Sequence, residues 1–338
     1  MKIQLAHSFK DIISLKNLYA AWEEFLRGKR SKPDIQEFGR NFMDNIVDLH
    51  ESLVSKRYVH GGYQSFKICD PKPRHIHKAS VRDRLLHHAI YRILYPFFER
   101  TFIADSFSCR LNKGTHKALD RFQRTAYQIS QNHTRTCWIL KCDIKKFFAS
   151  IDQAVLLSTL SEYILDQDIL WLLSQVVCSF STESKPGIGL PLGNLTSQLF
   201  ANVYLNKLDQ FTKHRLLVPF YIRYADDFVI FFHDRVLLLK QLDTIQQFLS
   251  KHLRLNLHPN KIEIKTLASG VDFLGWVHFL DHRVLRTATK QRMMRRIQES
   301  PTIETAESYL GLLKHGAGFK LGQKILQKAW LDSGMDKT

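Results

Sequence analysis

The sequence predicts an α+β fold built around an antiparallel sheet. Helical and strand-like segments are mixed along the 338 residues without the regular strand–helix–strand alternation of a parallel sheet. Hydrophobic residues make up 44% of the chain, enough for a sizeable core in one large or two modest domains. No internal repeat or low-complexity linker interrupts it.

The elements follow in order. Residues 8–57 place Leu15, Leu18, Trp22 and Phe25, then Phe38, Phe42, Ile46, Leu49 and Leu53, at helical spacing. Gly61 and Gly62 break that pattern. YQSFKICDPKPRHI reads as a short strand with a basic, proline-interrupted turn, and VRDRLLHHAIYRILYPFFERTF returns to helix. TCWILKCDIKKFF reads as a strand ending near Asp143, followed by helical residues 152–179 and the loop KPGIGLPLG. NLTSQLFANVYLNKLDQFTKH reads as a long amphipathic helix starting at Asn194 or Thr196. VPFYIRYADDFVIFF reads as two strands turning at Ala225-Asp226. A helix over LLLKQLDTIQQFLSKHL and short strands in IEIKT and VDFLGWVHFL come next, and from about residue 287 the chain is helical and basic again.

The formal charge of +17 points to a polyanionic partner, nucleic acid first. The five cysteines, Cys69, Cys109, Cys137, Cys142 and Cys178, include no Cys-x-x-Cys pair, as expected of reduced thiols in a cytoplasmic protein. Cys137 and Cys142 have too few neighbouring ligands for zinc, and His75, His77, His87 and His88 match no metal spacing. No apolar run reaches the ~18 residues of a membrane span, and the N-terminus lacks a signal-peptide core.

Two adjacent acids, Asp226 and Asp227, interrupt an apolar, aromatic run. Burying them unpaired is costly, and glycine or asparagine turn chemistry does not explain them. At a hairpin tip they stand at one edge of the sheet, and Asp143 ends another strand. If those strands are neighbours, three carboxylates converge, a set suited to two Mg²⁺ ions. Alone, the pair also fits a polar hairpin tip, and Asp143 also fits a helix cap.

The ordered series decides between these readings. Tyr224-Ala225-Asp226-Asp227 matches the YxDD motif, Asp143 opens a D-x-x-x-x-F pattern ending at Phe148, and GLPLGNLTSQLFANVYLN lies between. Lys261 follows in LNLHPNKIEI, then Phe273-Leu274-Gly275. Over roughly residues 60–315 this order resembles the palm of the reverse transcriptase family. The resemblance implies a right-hand polymerase with fingers, palm (an antiparallel sheet packed on helices) and a helical thumb. Residues 1–60 are then an N-terminal helical extension, 61–285 fingers and palm, and 286–338 a basic thumb. It implies Asp143, Asp226, Asp227 and the Ile144 carbonyl as ligands of two Mg²⁺ ions, with Mn²⁺ as a substitute. Phe148 falls on the steric gate that selects dNTPs, and it also reads as a core aromatic beside Phe147. Lys67 and Arg74 correspond to triphosphate-holding fingers residues, with Lys72, Lys78 and Arg82 competing for that role. Arg82 and Arg84 correspond to contacts with template phosphates. Lys261 corresponds to a proton donor to pyrophosphate, and Phe273, Leu274 and Gly275 to the primer grip. Arg292, Arg295 and Arg296 correspond to a thumb clamping the duplex.

The fourth block departs from the usual Gln-Gly and Ser-Pro, reading Leu192-Gly193 and Ser197-Gln198. Replacing the nucleotide-contacting glutamine by Leu192 predicts looser selection. LGNLTSQ, KPRHIHKASVRDRLLHHAI, FIADSFSCRLNKGTHKAL and SYLGLLKHG resemble diversity-generating retroelement reverse transcriptases. That resemblance implies adenine-directed errors, a template RNA with its primer or cDNA, dNTPs and a small basic accessory variability protein; the lack of an apolar run of spanning length leads us to expect no membrane partner. Ala225 stands where methionine is common there. Group II intron-like, retron and antiphage relatives are rival readings; the length leaves little room for intron-type extra segments, and ANVYLN is not the retron NAxxH. A noncatalytic RNA-binding protein on the same scaffold is the rival from another class.

Overall fold

The computed structural model describes residues 3–69, 73–182, 185–300 and 302–332. Lys72, one competitor for the triphosphate role, lies outside the described residues. Four helices open the chain: α1 (Phe9–Ile13), α2 (Leu15–Phe25), α3 (Pro33–Arg40) and α4 (Phe42–Val54). The hairpin β1 (Tyr63–Ile68) and β2 (Arg74–Ala79) precedes α5 (Val81–Glu99) and α6 (Thr115–Ile129). Strand β3 (Trp138–Asp143) leads into α7 (Phe147–Ser150), α8 (Gln153–Ser161), α9 (Gln167–Val177) and α10 (Leu195–Gln210), the last continued as a π-helical turn over Phe211–Arg215. Then come β4 (Tyr221–Tyr224), β5 (Asp227–Phe232), α11 (Arg235–Leu253), β6 (Glu263–Thr266), β7 (Val271–Phe273), β8 (Trp276–His278) and β9 (Arg283–Leu285). The chain closes with α12 (Thr287–Glu299), α13 (Ile303–Leu313) and α14 (Phe319–Asp332).

Two units are evident. The first comprises Met1–Cys109, Ile144–Leu217 and Thr244–His258; the second comprises Arg110–Asp143, Val218–Asp243 and Pro259–Thr338. Each draws on three chain segments. The reason in the second unit is strand pairing between segments far apart in sequence, β3 with β5 and β6.

In the first unit α5 packs against α2 and α10, burying Leu85, Leu86, Ala89, Ile90 and Leu94. The expectation of an amphipathic α10 is corrected: it is buried all round, from Thr196 and Leu199 to Leu208 and Asp209. Two of its buried polar groups are accommodated by bonds to backbone carbonyls. Asn202 donates to the Ser108 carbonyl at 2.9 Å and Tyr204 to the Leu253 carbonyl at 2.6 Å. The expected strand-plus-turn at residues 63–76 is a two-stranded hairpin, because RHIHKA pairs with YQSFKI from Tyr63↔Ala79 to Ile68↔Arg74.

In the second unit a four-stranded antiparallel sheet has the order β4-β5-β3-β6. A second antiparallel sheet, β7-β8-β9, adds the strand Arg283–Leu285, which sequence pattern alone does not predict. Helix α6, also unpredicted, packs against β4 and β5. Its Phe122 meets Phe231 of β5 at 4.8 Å and Phe273 of β7 at 5.3 Å between ring centroids, joining the two sheets. Among the described residues no helix is long and apolar enough to cross a membrane.

Candidate active site

The second unit brings the acids together by strand register. β3 and β5 are antiparallel and Asp143 stands opposite Asp227, so both side chains share one face of the sheet. Between β4 and β5 the chain turns on Ala225 and Asp226, flanked by the Tyr224↔Asp227 pair. Ala225 has φ 54°, the left-handed region, which costs an L-residue roughly 1–2 kcal/mol. That strain lies immediately before the two acids.

The electrostatics follow from the register. Burial pushes the Asp227 carboxyl up to about 7, and the neighbouring Asp226 and Asp143 push the same way; Asp143 is also within hydrogen-bonding reach. Lys141 opposes the shift. It lies two residues before Asp143 and so on the same face of β3. Lys261, at the end of the short turn Pro259–Lys261, places Nζ 2.8 and 2.9 Å from the two oxygens of Asp143. Among the described residues no group of three Asp, Glu, His or Cys side chains is arranged to hold a metal ion in this conformation. The donor chemistry nonetheless fits one: hard oxygens, with a buried carboxyl raised by acidic neighbours that a cation would neutralise.

The second sheet carries the other residues expected near a primer. Phe273 is fully buried against Phe122, while Leu274 and Gly275 form the turn between β7 and β8. Both turn residues have positive φ, 50° and 87°, as a tight hairpin turn of this hand requires, and the Gly275 carbonyl accepts the Arg286 N–H at 3.0 Å. On α12, Met293 and Ile297 are buried, Arg295 and Arg296 are exposed and Arg292 is half-buried. Arg295 lies 3.8 Å from Glu299, one turn on.

In the first unit, the loop before α10 is docked on β2. The His77 N–H donates to the Leu192 carbonyl at 2.9 Å, and Asn194 Nδ2 donates to the His77 carbonyl at 2.9 Å. Asn194 occupies the N-cap position of α10 without a side-chain cap bond; its amide is used to bind the hairpin. Gly193 has φ 106°, and a Cβ there would lie 2.7 Å from Ile76 Cγ2, so glycine is required by both conformation and space. A cavity of about 370 Å³ is lined by Phe66, Ile76, Lys78, Arg84, Gly193 and Gln198, among others.

Lys67 and Arg74 are exposed on the hairpin, but the register pairs Lys67 with His75 and Arg74 with Ile68. Strand alternation therefore puts the two cations on opposite faces. Arg82 donates to Ser52 Oγ at 2.9 Å and stacks over Tyr58; Arg84 contacts Asp34 at 2.5 Å and stacks over Phe25. Both arginines are thus engaged within the unit. Ile144 is buried in a bridge to Leu257. Phe148 is half-buried, its ring 5.4 Å from that of Phe147, and its carbonyl accepts the Leu190 N–H at 2.8 Å.

Three residues beside the acids escape a reading of the sequence. Lys141 shares their face, Arg223 is fully buried on β4, and Thr115 donates to the Tyr224 hydroxyl at 3.0 Å. The one signal for Arg223 is a lone arginine inside an apolar strand; Thr115 lies far from the motif in sequence and carries no signal.

The family model for reverse transcriptase (RNA-dependent DNA polymerase) matches residues 69–278. Protein YkfC of Escherichia coli (strain K12) is 23% identical, with 80% of each chain covered. The group II intron-encoded protein LtrA of Lactococcus lactis subsp. cremoris is 28% identical over 59% of this chain, which spans only 33% of LtrA. A solved telomerase from Candida albicans, in complex with a telomeric RNA fragment, is similar at a TM-score of 0.48 and 12% identity, covering 71% of this chain and 51% of that one. With its family model matched across the acid-bearing strands, this chain belongs to the reverse transcriptase family, RNA-dependent DNA polymerases.

Proposed function

We propose that the chain copies an RNA template into cDNA by adding dNTPs to a primer 3′-end, as the error-prone enzyme of a diversity-generating retroelement. The observation that carries the polymerase reading is Asp143 facing Asp227 across β3 and β5, with Asp226 beside it at the turn. In this reading Asp143, Asp226, Asp227 and the Ile144 carbonyl hold two Mg²⁺ ions, or Mn²⁺ in their place. When bound, the cations activate the primer hydroxyl and stabilise the pyrophosphate that leaves.

The chain's own residues supply selection and positioning. Phe148 crowds a ribose 2′-hydroxyl and so favours dNTPs. Gly193 lets backbone approach the nucleotide, with Leu192 and Gln198 beside it, and Leu192 offers the base pair no polar partner. Lys67 and Arg74 serve the triphosphate; since they lie on opposite faces of the hairpin, their contributions are separable by mutation. Lys261 gives a proton to the pyrophosphate after leaving Asp143, which it grips in this conformation. Arg82 and Arg84 take template phosphates by exchanging their present partners. Phe273, Leu274 and Gly275 seat the primer, and Arg292, Arg295 and Arg296 clamp the duplex. Residues 1–60, 61–285 and 286–338 act as extension, fingers with palm, and thumb. A small basic accessory variability protein is the expected partner. The free cysteines, three of them exposed, suit the cytoplasm.

The test is primer extension on an RNA template containing all four bases, with Mg²⁺ and dNTPs, followed by sequencing of the cDNA. Asp226→Ala is the blank. Errors concentrated opposite adenines are expected. Faithful cDNA would keep the polymerase and remove the retroelement assignment in favour of group II intron-like, retron or defence relatives. RNA binding without extension by the wild type would favour a noncatalytic RNA-binding role.

A further inference from the structure

We propose that Arg223, together with Thr115, is a positioning residue that holds the Tyr224–Asp227 turn in the shape its chemistry needs; this rests on the polymerase reading of that turn. Arg223 lies on β4, three residues before Asp226, and is the largest fully buried side chain among the described residues. A guanidinium is retained in a protein interior only where its N–H groups find partners. One of those partners is the turn itself: Arg223 Nη1 donates to the Ala225 carbonyl at 3.0 Å. Ala225 is the strained residue, at φ 54°, and such a conformation persists only where its surroundings hold it.

A second, independent tie acts one residue earlier. Thr115 is the first residue of α6, which packs on β4 and β5, and its Oγ1 donates to the Tyr224 hydroxyl at 3.0 Å. Tyr224 and Ala225, the two residues before the acids, are therefore each fixed by a named group. The turn needs fixing because the acids beyond it repel one another, and repulsion favours any movement that separates them. Neither Arg223 nor Thr115 is a carboxylate or a ligand. Their effect passes through the backbone that aims Asp226 and Asp227.

The experiment compares the wild type with Arg223→Met, Arg223→Lys and Thr115→Val. Each is measured by thermal unfolding, by Mn²⁺ binding followed by electron paramagnetic resonance, and by steady-state primer extension. Arg223→Met should lower kcat about tenfold to a hundredfold, as small misplacements of catalytic groups do, and weaken Mn²⁺ binding, with KM for dNTP and affinity for primer–template unchanged. Arg223→Lys, which keeps a donor, should recover part of both losses. Thr115→Val should melt with the wild type and lose kcat about fivefold, the worth of one hydrogen bond. If Arg223→Met does not fold, the Lys and Val variants decide. Wild-type Mn²⁺ binding and kcat in both would overturn the proposal. So would a loss in which Tm and primer–template affinity fall and KM rises as kcat drops, which marks a merely structural role. A wild type that extends no primer would instead sink the polymerase reading, while Mn²⁺ binding and Tm would still report on the tie.

Discussion

Asp227 is the residue at which fold and chemistry pull hardest against each other. Burial, with the neighbouring Asp226 and Asp143, pushes its carboxyl up to about 7. A folded-state pKa raised above the unfolded value near 4 leaves stability untouched below that value. Stability is lost as pH rises towards 7, and the cost is fully present above it. Asp227→Asn should therefore raise Tm in metal-free buffer at pH 8 and leave it unchanged at pH 4, as read by thermal unfolding. Adding Mg²⁺ to the wild type should raise Tm more at pH 8 than at pH 5. Leu192 makes the opposite kind of prediction, about selection: Leu192→Gln should cut misincorporation roughly fivefold, the worth of one restored hydrogen bond, in sequenced cDNA. The acids are legible because two charges in an aromatic run contradict burial. Arg223 sits in the same run and is harder to read, because a lone cation in a strand has no spacing to compare it with.

At the scale of elements, close backbone approach decides the outcome. Gly193 is held at φ 106°, and Ile76 Cγ2 lies 2.7 Å from where a Cβ would sit. Gly193→Ala should cost about 1–2 kcal/mol of stability, from the left-handed conformation alone, and raise KM for dNTP in extension assays. The turn Leu274-Gly275 predicts the reverse. Leucine at φ 50° is a poor choice for a tight turn, so Leu274→Asn should add about 1 kcal/mol by denaturant unfolding while weakening primer binding. Periodicity gave β3, β4 and β5 closely because their apolar runs are short and bounded by polar residues. It described α10 as amphipathic because hydrophobic spacing says nothing of the polar residues Asn202 and Tyr204, which are buried through bonds to backbone carbonyls. The hairpin's second strand, RHIHKA, was hidden for the opposite reason: it is mostly polar and only partly buried, and its pairing with β1 is what makes it a strand.

For the molecule as a whole, the surplus of 49 basic over 32 acidic side chains sets how it meets RNA. Affinity for an RNA–DNA duplex should fall steeply with salt, since neutralised phosphates release counterions. Arg295→Ser with Arg296→Ser should weaken binding without regard to sequence. The salt slope should drop by about one for each phosphate no longer neutralised, read from binding isotherms at several salt concentrations. Fold class and family were legible at this scale because several motifs kept their order along the chain. The division into units was not, because it depends on which distant segments pair.

The Asp143↔Asp227 register also limits how this chain can change length. Side chains alternate along β3, so inserting or deleting a single residue within that strand would turn Asp143 to the other face and could bring the thiol of Cys142 opposite Asp227. No single substitution nearby restores the facing pair without a second, matching indel on β5. Indels that leave the site intact are therefore confined to connections between elements, where an added residue shifts no ladder that carries an acid. Drift in length should accumulate at those joints, and the strands should stay frozen in length even where their side chains vary.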